Sequence, residues 1–185
     1  MTKWAMVHKS WGKNITIVLS SLVFVLISVA ASSQSTNYTT DAAFDNEINS
    51  LLSYSVPILS VHELHDMQDD VLILDAREIE EFELSKIPGA AYIGHKNPDF
   101  SVCAAIAKDT PIVVYCSVGY RSEKVGESLQ QRGFTHVYNL YGSIFEWANV
   151  GYPLLDQKGN TTNQVHTYNK SWSKWIRNSK IAPQW

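Results

Sequence analysis

The stretch PIVVYCSVGYRSEKV, Pro111–Val125, decides the fold. Its first part is an unbroken apolar run of β-branched and aromatic residues, the signature of a strand buried on both faces. From Arg121 the pattern changes to a helix, with Val125 and Leu129 on one stripe and Gly133 as its stop. Between the two lie the seven residues CSVGYRS, Cys116–Ser122. Gly119 allows a positive φ, so that successive amides can turn inward around one point and form an anion-binding concavity. The helix N-terminus and Arg121 add positive potential to that point, and together they favour a thiolate over a thiol at Cys116. In open α/β sheets ligands bind outside the carboxyl ends of the strands, and Cys116 falls there.

Working outward, the same alternation recurs. Ser60 and Glu63 in SVHELHDM form a capping box, and VLILDAR (Val71–Arg77) is a second buried strand. EIEEFELS predicts a short helix, AAYIG a strand, DFSVCAAIAKD a helix, HVYNLYG a strand and SIFEWANVG a closing helix. Strands separated by helices of this size imply an α/β domain, an open parallel sheet with helices on both faces. The expected organisation is a signal peptide or transmembrane anchor over residues 1–31, a polar linker over 32–49, the α/β domain over 50–156 and a basic, aromatic-rich tail over 157–185.

Charge separates these parts. Residues 50–156 hold seven Lys/Arg against fifteen Asp/Glu, whereas residues 157–185 hold five Lys/Arg and no acid. An acidic body argues against nucleic acid as a partner, since phosphate neutralisation needs a concentrated basic surface. Two cysteines, Cys103 and Cys116, exclude a disulfide scaffold and a four-cysteine zinc site. The histidine spacing shows no metal site, and no cofactor is expected. Cys103 reads as a packing residue on an alanine-rich stripe, with a resolving thiol as its functional alternative.

At the N-terminus Lys3, Lys9 and Lys13 precede the uncharged apolar run Ile15–Ala31. As a helix it would rise about 25 Å, which fits either a long signal peptide or a short anchor. Either way the positive-inside rule sends the remainder across the membrane, to a periplasmic or extracellular location. In the tail, Trp172, Trp175 and Ile176 would share a helix face that either packs on the domain or meets a membrane interface.

Four segments taken together, VLILDAREIEEF, KIPGAAYI, IVVYCSVGYRSEKVGESLQQRGF and VYNLYGSIFEWANVGYPL, resemble a single rhodanese (sulfurtransferase) module over roughly Val56–Leu155. The resemblance implies a Cys116 nucleophile that takes sulfane sulfur from a small anionic donor such as thiosulfate and passes it to cyanide or a thiol. It implies that Ser117, Val118, Gly119, Tyr120, Arg121 and Ser122 cradle the persulfide, with Arg121 attracting the donor. Asp75 and Arg77 match the family's Asp-x-Arg and are expected to support the fold; Trp147 and Tyr152 match its C-terminal aromatic positions. The chain departs from the family pattern at Ser85-Lys86, where Gly-His is common, and at Ser143, where a second glycine often follows. A non-catalytic binding or sulfur-sensing module is the alternative. A cysteine phosphatase is disfavoured, because those enzymes place the arginine one position further from the cysteine than Arg121 stands from Cys116.

Overall fold

The computed structural model describes residues 38–185. Five parallel strands form one sheet: β1 (Ile58–Leu59), β2 (Leu72–Asp75), β3 (Ala91–Tyr92), β4 (Ile112–Tyr115) and β5 (Val137–Leu140), in the order β1-β5-β4-β2-β3. The two longest apolar runs, β2 and β4, lie side by side in the interior, Leu72 opposite Ile112 and Asp75 opposite Tyr115. Their side chains alternate between two cores. Ile73, Val113 and Tyr115 join one; Leu74, Ile112 and Val114 join the other. The first core is covered by α1 (Ala42–Leu51), α2 (Val61–Asp66) and α5 (Ser143–Val150), the second by α4 (Tyr120–Gln131), whose Val125 and Leu129 are buried as the sequence stripe predicts. A short helix, α3 (Ile79–Leu84), follows β2.

The capping box at α2 is present, with Ser60 accepting from the Glu63 amide and Glu63 accepting from the Ser60 amide. Asp75 and Arg77 are both fully buried. The Arg77 guanidinium bridges both Asp75 carboxylate oxygens at 2.6–3.1 Å and donates to the Ser85 carbonyl at 2.6 Å, tying the end of β2 to the segment after α3. Trp147 is fully buried and donates through Nε1 to the Pro153 carbonyl.

Three expectations change. Residues 42–49, read as linker, belong to α1: Asp41 caps it, and Phe44 and Ile48, spaced by one turn, are fully buried. DFSVCAAIAKD forms only a 3₁₀ turn, Phe100–Cys103, started by the Asp99 side chain accepting from the Ser101 amide; so brief an apolar face cannot stabilise a longer helix. In the tail the shared helix face does not form. Asn169 Oδ1 accepts from the amides of Ser171 and Trp172, and such side-chain capture competes with helix propagation. Trp172–Trp175 is a 3₁₀ turn between the short strands β8 (Gln164–His166) and β9 (Ala182–Gln184), which pair in parallel. β6 (Leu154–Leu155) and β7 (Thr161–Thr162) form an antiparallel pair before it.

The tail therefore packs on the domain as a strap. Trp175 is buried and stacks on Phe44 of α1 at 5.2 Å, and Arg177 Nε donates to Asp41 at 2.6 Å. The apolar run Ile15–Ala31 lies outside the described residues. Among the described residues no helix is long and apolar enough to cross a membrane.

Candidate active site

Cys116 follows β4 directly, so the buried strand sets the height and direction of its sulfur. Its backbone is clamped from a second element. The Cys116 amide donates to Ser143 Oγ at 3.2 Å, and the first amides of α5, Ile144 and Phe145, donate to the carbonyls of Cys116 and Ser117. Ser143 occupies a position where a glycine would be at ease: its φ is +50°. Its hydroxyl explains the choice, because it also donates to the Leu140 carbonyl at 2.9 Å and so joins β5 to the root of the loop. Gly142 just before it, at φ +70°, has no room for a side chain, since a Cβ there would come within 2.7 Å of Glu146 Cβ.

The loop curls as its glycine predicts. Gly119 has φ +126°, and its amide donates to Cys116 Sγ at 3.2 Å. Asn139 on β5, fully buried, holds the far side of the curl: Nδ2 donates to the Gly119 carbonyl at 3.0 Å, while Oδ1 accepts from Ser122 Oγ at 2.7 Å. Burial pushes the Cys116 thiol up. Arg121, Ser122 and the Gly119 amide outweigh that and bring it below the ordinary thiol value. The single Ser122 hydroxyl proton is engaged with Asn139, so Arg121 and the amides carry most of the effect.

Arg121 differs from expectation in one respect. Rather than standing free for an incoming anion, it forms a two-pronged pair with Glu81 of α3, at 2.6 and 2.9 Å, and also donates to Ser117 Oγ at 2.8 Å. Glu81 is buried; although burial opposes its charge, the Arg121 pair holds its pKa down to about 2. Positive potential at Cys116 is thus kept but tempered. Asn139, Ser143 and Glu81 are the residues sequence reasoning missed. Glu81 left a signal as an acid on a short helix that follows a buried strand, and Ser143 as the departure from a second glycine after Gly142.

Above Cys116 opens a cavity of about 370 Å³. Of the loop, Cys116, Ser117, Val118, Tyr120 and Arg121 line it; Gly119 and Ser122 do not. Its walls come from elsewhere in the chain: Leu51 of α1, Glu78, His95 and Lys96 from the loops after β2 and β3, and Tyr168 and Trp172 from the strap. Cys103 belongs to the core covered by α4 and does not line the cavity, and burial raises its thiol pKa.

The family model for the rhodanese-like domain matches residues 60–150, the span that contains every sheet strand from β2 to β5 together with the loop. A sulfurtransferase of Allochromatium vinosum is 36% identical over 92 residues, covering 49% of this chain and 84% of that protein. The chain belongs to the rhodanese-like family. Another relative, the thiosulfate sulfurtransferase GlpE of Coxiella burnetii, is 32% identical over 49% of this chain and 83% of its own length. The rhodanese-like domain of an Anabaena protein, solved in solution, shares the fold with a TM-score of 0.51 at 23% identity, over 57% of this chain and 83% of that one. Within this rhodanese-like chain, α1 and the strap lie outside the matched span, and they contribute Leu51, Tyr168 and Trp172 to the cavity.

Proposed function

We propose that the protein is a sulfurtransferase that moves sulfane sulfur from a small anionic donor such as thiosulfate to a thiophilic acceptor through a persulfide on Cys116. The observation that carries this reading is the Gly119 amide donating to a buried, acidified Cys116 sulfur at the carboxyl end of the central strand. In the first step the Cys116 thiolate attacks the outer sulfur of thiosulfate; the S–S bond of the donor breaks and sulfite leaves with its electron pair. The persulfide's terminal sulfur is anionic, and the inward amides of the Ser117–Ser122 loop stabilise it as an oxyanion hole stabilises oxygen. In the second step cyanide or a thiolate takes that terminal sulfur and the Cys116 thiolate is regenerated.

The test is mass spectrometry after incubation with thiosulfate. The wild type and Cys103→Ser gain one sulfur atom, and Cys116→Ser does not. No adduct with thiosulfate or any persulfide donor would refute transfer and favour a binding module built on the same cradle. For location, the basic end and apolar run of residues 1–31 support export or single-pass anchoring, with the domain on the periplasmic or extracellular side. N-terminal sequencing of the mature protein decides between cleavage and retention. Because Trp175 is spent on packing against Phe44, the strap supports membrane contact less than the N-terminal segment does.

A further inference from the structure

We infer that the acceptor is a small organic thiol, and that His95 is the base that takes its proton while Tyr168 and Trp172 hold its organic part. The inference rests on the sulfur-transfer reading and names the acceptor for that same site. Three observations meet in one cavity. The first is size: about 370 Å³ is the scale of a pocket for a small organic molecule, far more than cyanide requires. The second is lining, since Leu51, Tyr168 and Trp172 make an apolar wall facing the sulfur from outside the family's matched span. Tyr168 is held there at φ +64°, with its amide donating to His166 Nδ1.

The third is His95. It lines the cavity together with Cys116; its Nδ1 is sealed and has no hydrogen-bond partner among the described residues, so the partly exposed remainder of the ring, with Nε2, is what can meet a ligand. The nearest carboxylate oxygen, Glu78 Oε1, is 3.9 Å away and is engaged by Lys96 Nζ at 2.8 Å. The other charges facing the ring are Arg121 from α4 and Glu81 from α3. Burial, then Arg121, push the imidazole below its ordinary value, so it stands neutral and able to accept a proton near pH 7. An ordinary thiol is mostly protonated at that pH, with a pKa of about 8.5 for a cysteine-like group, and is a poor nucleophile until it is ionised. In the step inferred, the acceptor S–H proton passes to His95. The acceptor thiolate then bonds to the terminal sulfur of the Cys116 persulfide, and the S–S bond to Cys116 breaks. The products are an organic persulfide, the Cys116 thiolate and imidazolium, which returns its proton to solvent.

The test loads the full-length protein with thiosulfate and follows sulfur transfer to two acceptors, 2-mercaptoethanol, protonated at neutral pH, and 5-thio-2-nitrobenzoate, already ionised. His95→Gln is expected to slow transfer to 2-mercaptoethanol about 100-fold, the usual size of a general-base effect, and to remove the imidazole inflection from its pH profile. The deficit should shrink to roughly threefold with the ionised aromatic thiol, and added imidazole should restore transfer to 2-mercaptoethanol. Tyr168→Ala should raise KM for the aromatic thiol about fivefold, a stacking-sized effect, and Tyr168→Phe should restore it. Equal deficits for both thiols, or an unaltered pH profile, overturn the role of His95. Absence of the persulfide itself overturns the underlying sulfur-transfer reading instead.

Discussion

Replacing Glu81 by glutamine tests how the site's charge is held. Glu81 accepts from Arg121 twice, from the Ser117 hydroxyl at 3.2 Å and from the Glu78 amide at 2.9 Å, all in a buried position. The drop from 4.5 to about 2 corresponds, at 1.36 kcal/mol per unit, to about 3 kcal/mol of stability. The folded pKa is the depressed one, so this stability is complete above about 4.5 and is lost as pH falls toward about 2. Glutamine keeps the shape and removes the charge. At pH 7 the variant should melt lower by roughly 6–12 °C, taking about 2–4 °C per kcal/mol for a domain of this size. Toward pH ~3 the gap should narrow to under half, because the wild type is protonating the same carboxylate. Thermal melts of both proteins across that range give the answer, and a gap that stays constant with pH refutes the reasoning. The double replacement Glu81→Leu with Arg121→Met should recover much of the loss, since the unpaired guanidinium is removed as well. In the single variant Arg121 has no counter-charge, so Cys116 should alkylate faster than in the wild type at mildly acidic pH.

Three further outcomes follow from the loop and its clamp. Ser143→Gly relieves the φ of +50° but orphans the buried Cys116 amide; the lost bond, about 1–3 kcal/mol, outweighs the strain, so denaturant melts should show net destabilisation. Gly119→Ala meets ordinary spacing, with Leu52 Cδ2 at 3.4 Å, yet must hold φ at +126°; a cost of about 1–2 kcal/mol and slower persulfide formation by mass spectrometry are expected. Asn139→Leu removes both the Nδ2 donor to the Gly119 carbonyl and the Oδ1 acceptor of the Ser122 hydroxyl. It should lower stability by about 1–3 kcal/mol in denaturant melts.

Much of the architecture was legible because the signals are local. The apolar runs of β2 and β4, the Ser60–Glu63 box and the Gly119 curl each depend on a few neighbouring residues, and each stands as the sequence predicts. The α1 helix was missed because its polar neighbours look like linker, and its two anchors, Phe44 and Ile48, acquire meaning only against the strap and α5. The tail misled for a related reason. Its aromatic spacing suits a helix, but Asn169 captures the amides first and Trp175 finds a ring to stack on.

The amino-acid order by itself determined the sulfur's address: a cysteine at the end of the most apolar strand, a glycine three residues on and a cation five residues on. These are adjacent along the chain, and their geometry follows from backbone rules that hold in any protein. Tertiary structure alone decided what surrounds that sulfur. Glu81, 35 residues before Cys116, tempers Arg121; Ser143, 27 residues after it, holds the Cys116 amide; His95, Tyr168 and Trp172 close a cavity from loops with no shared pattern. The physical reason is that ion pairing, amide capture and wall packing act through space between side chains brought together by the sheet. No spacing rule along the chain encodes such meetings.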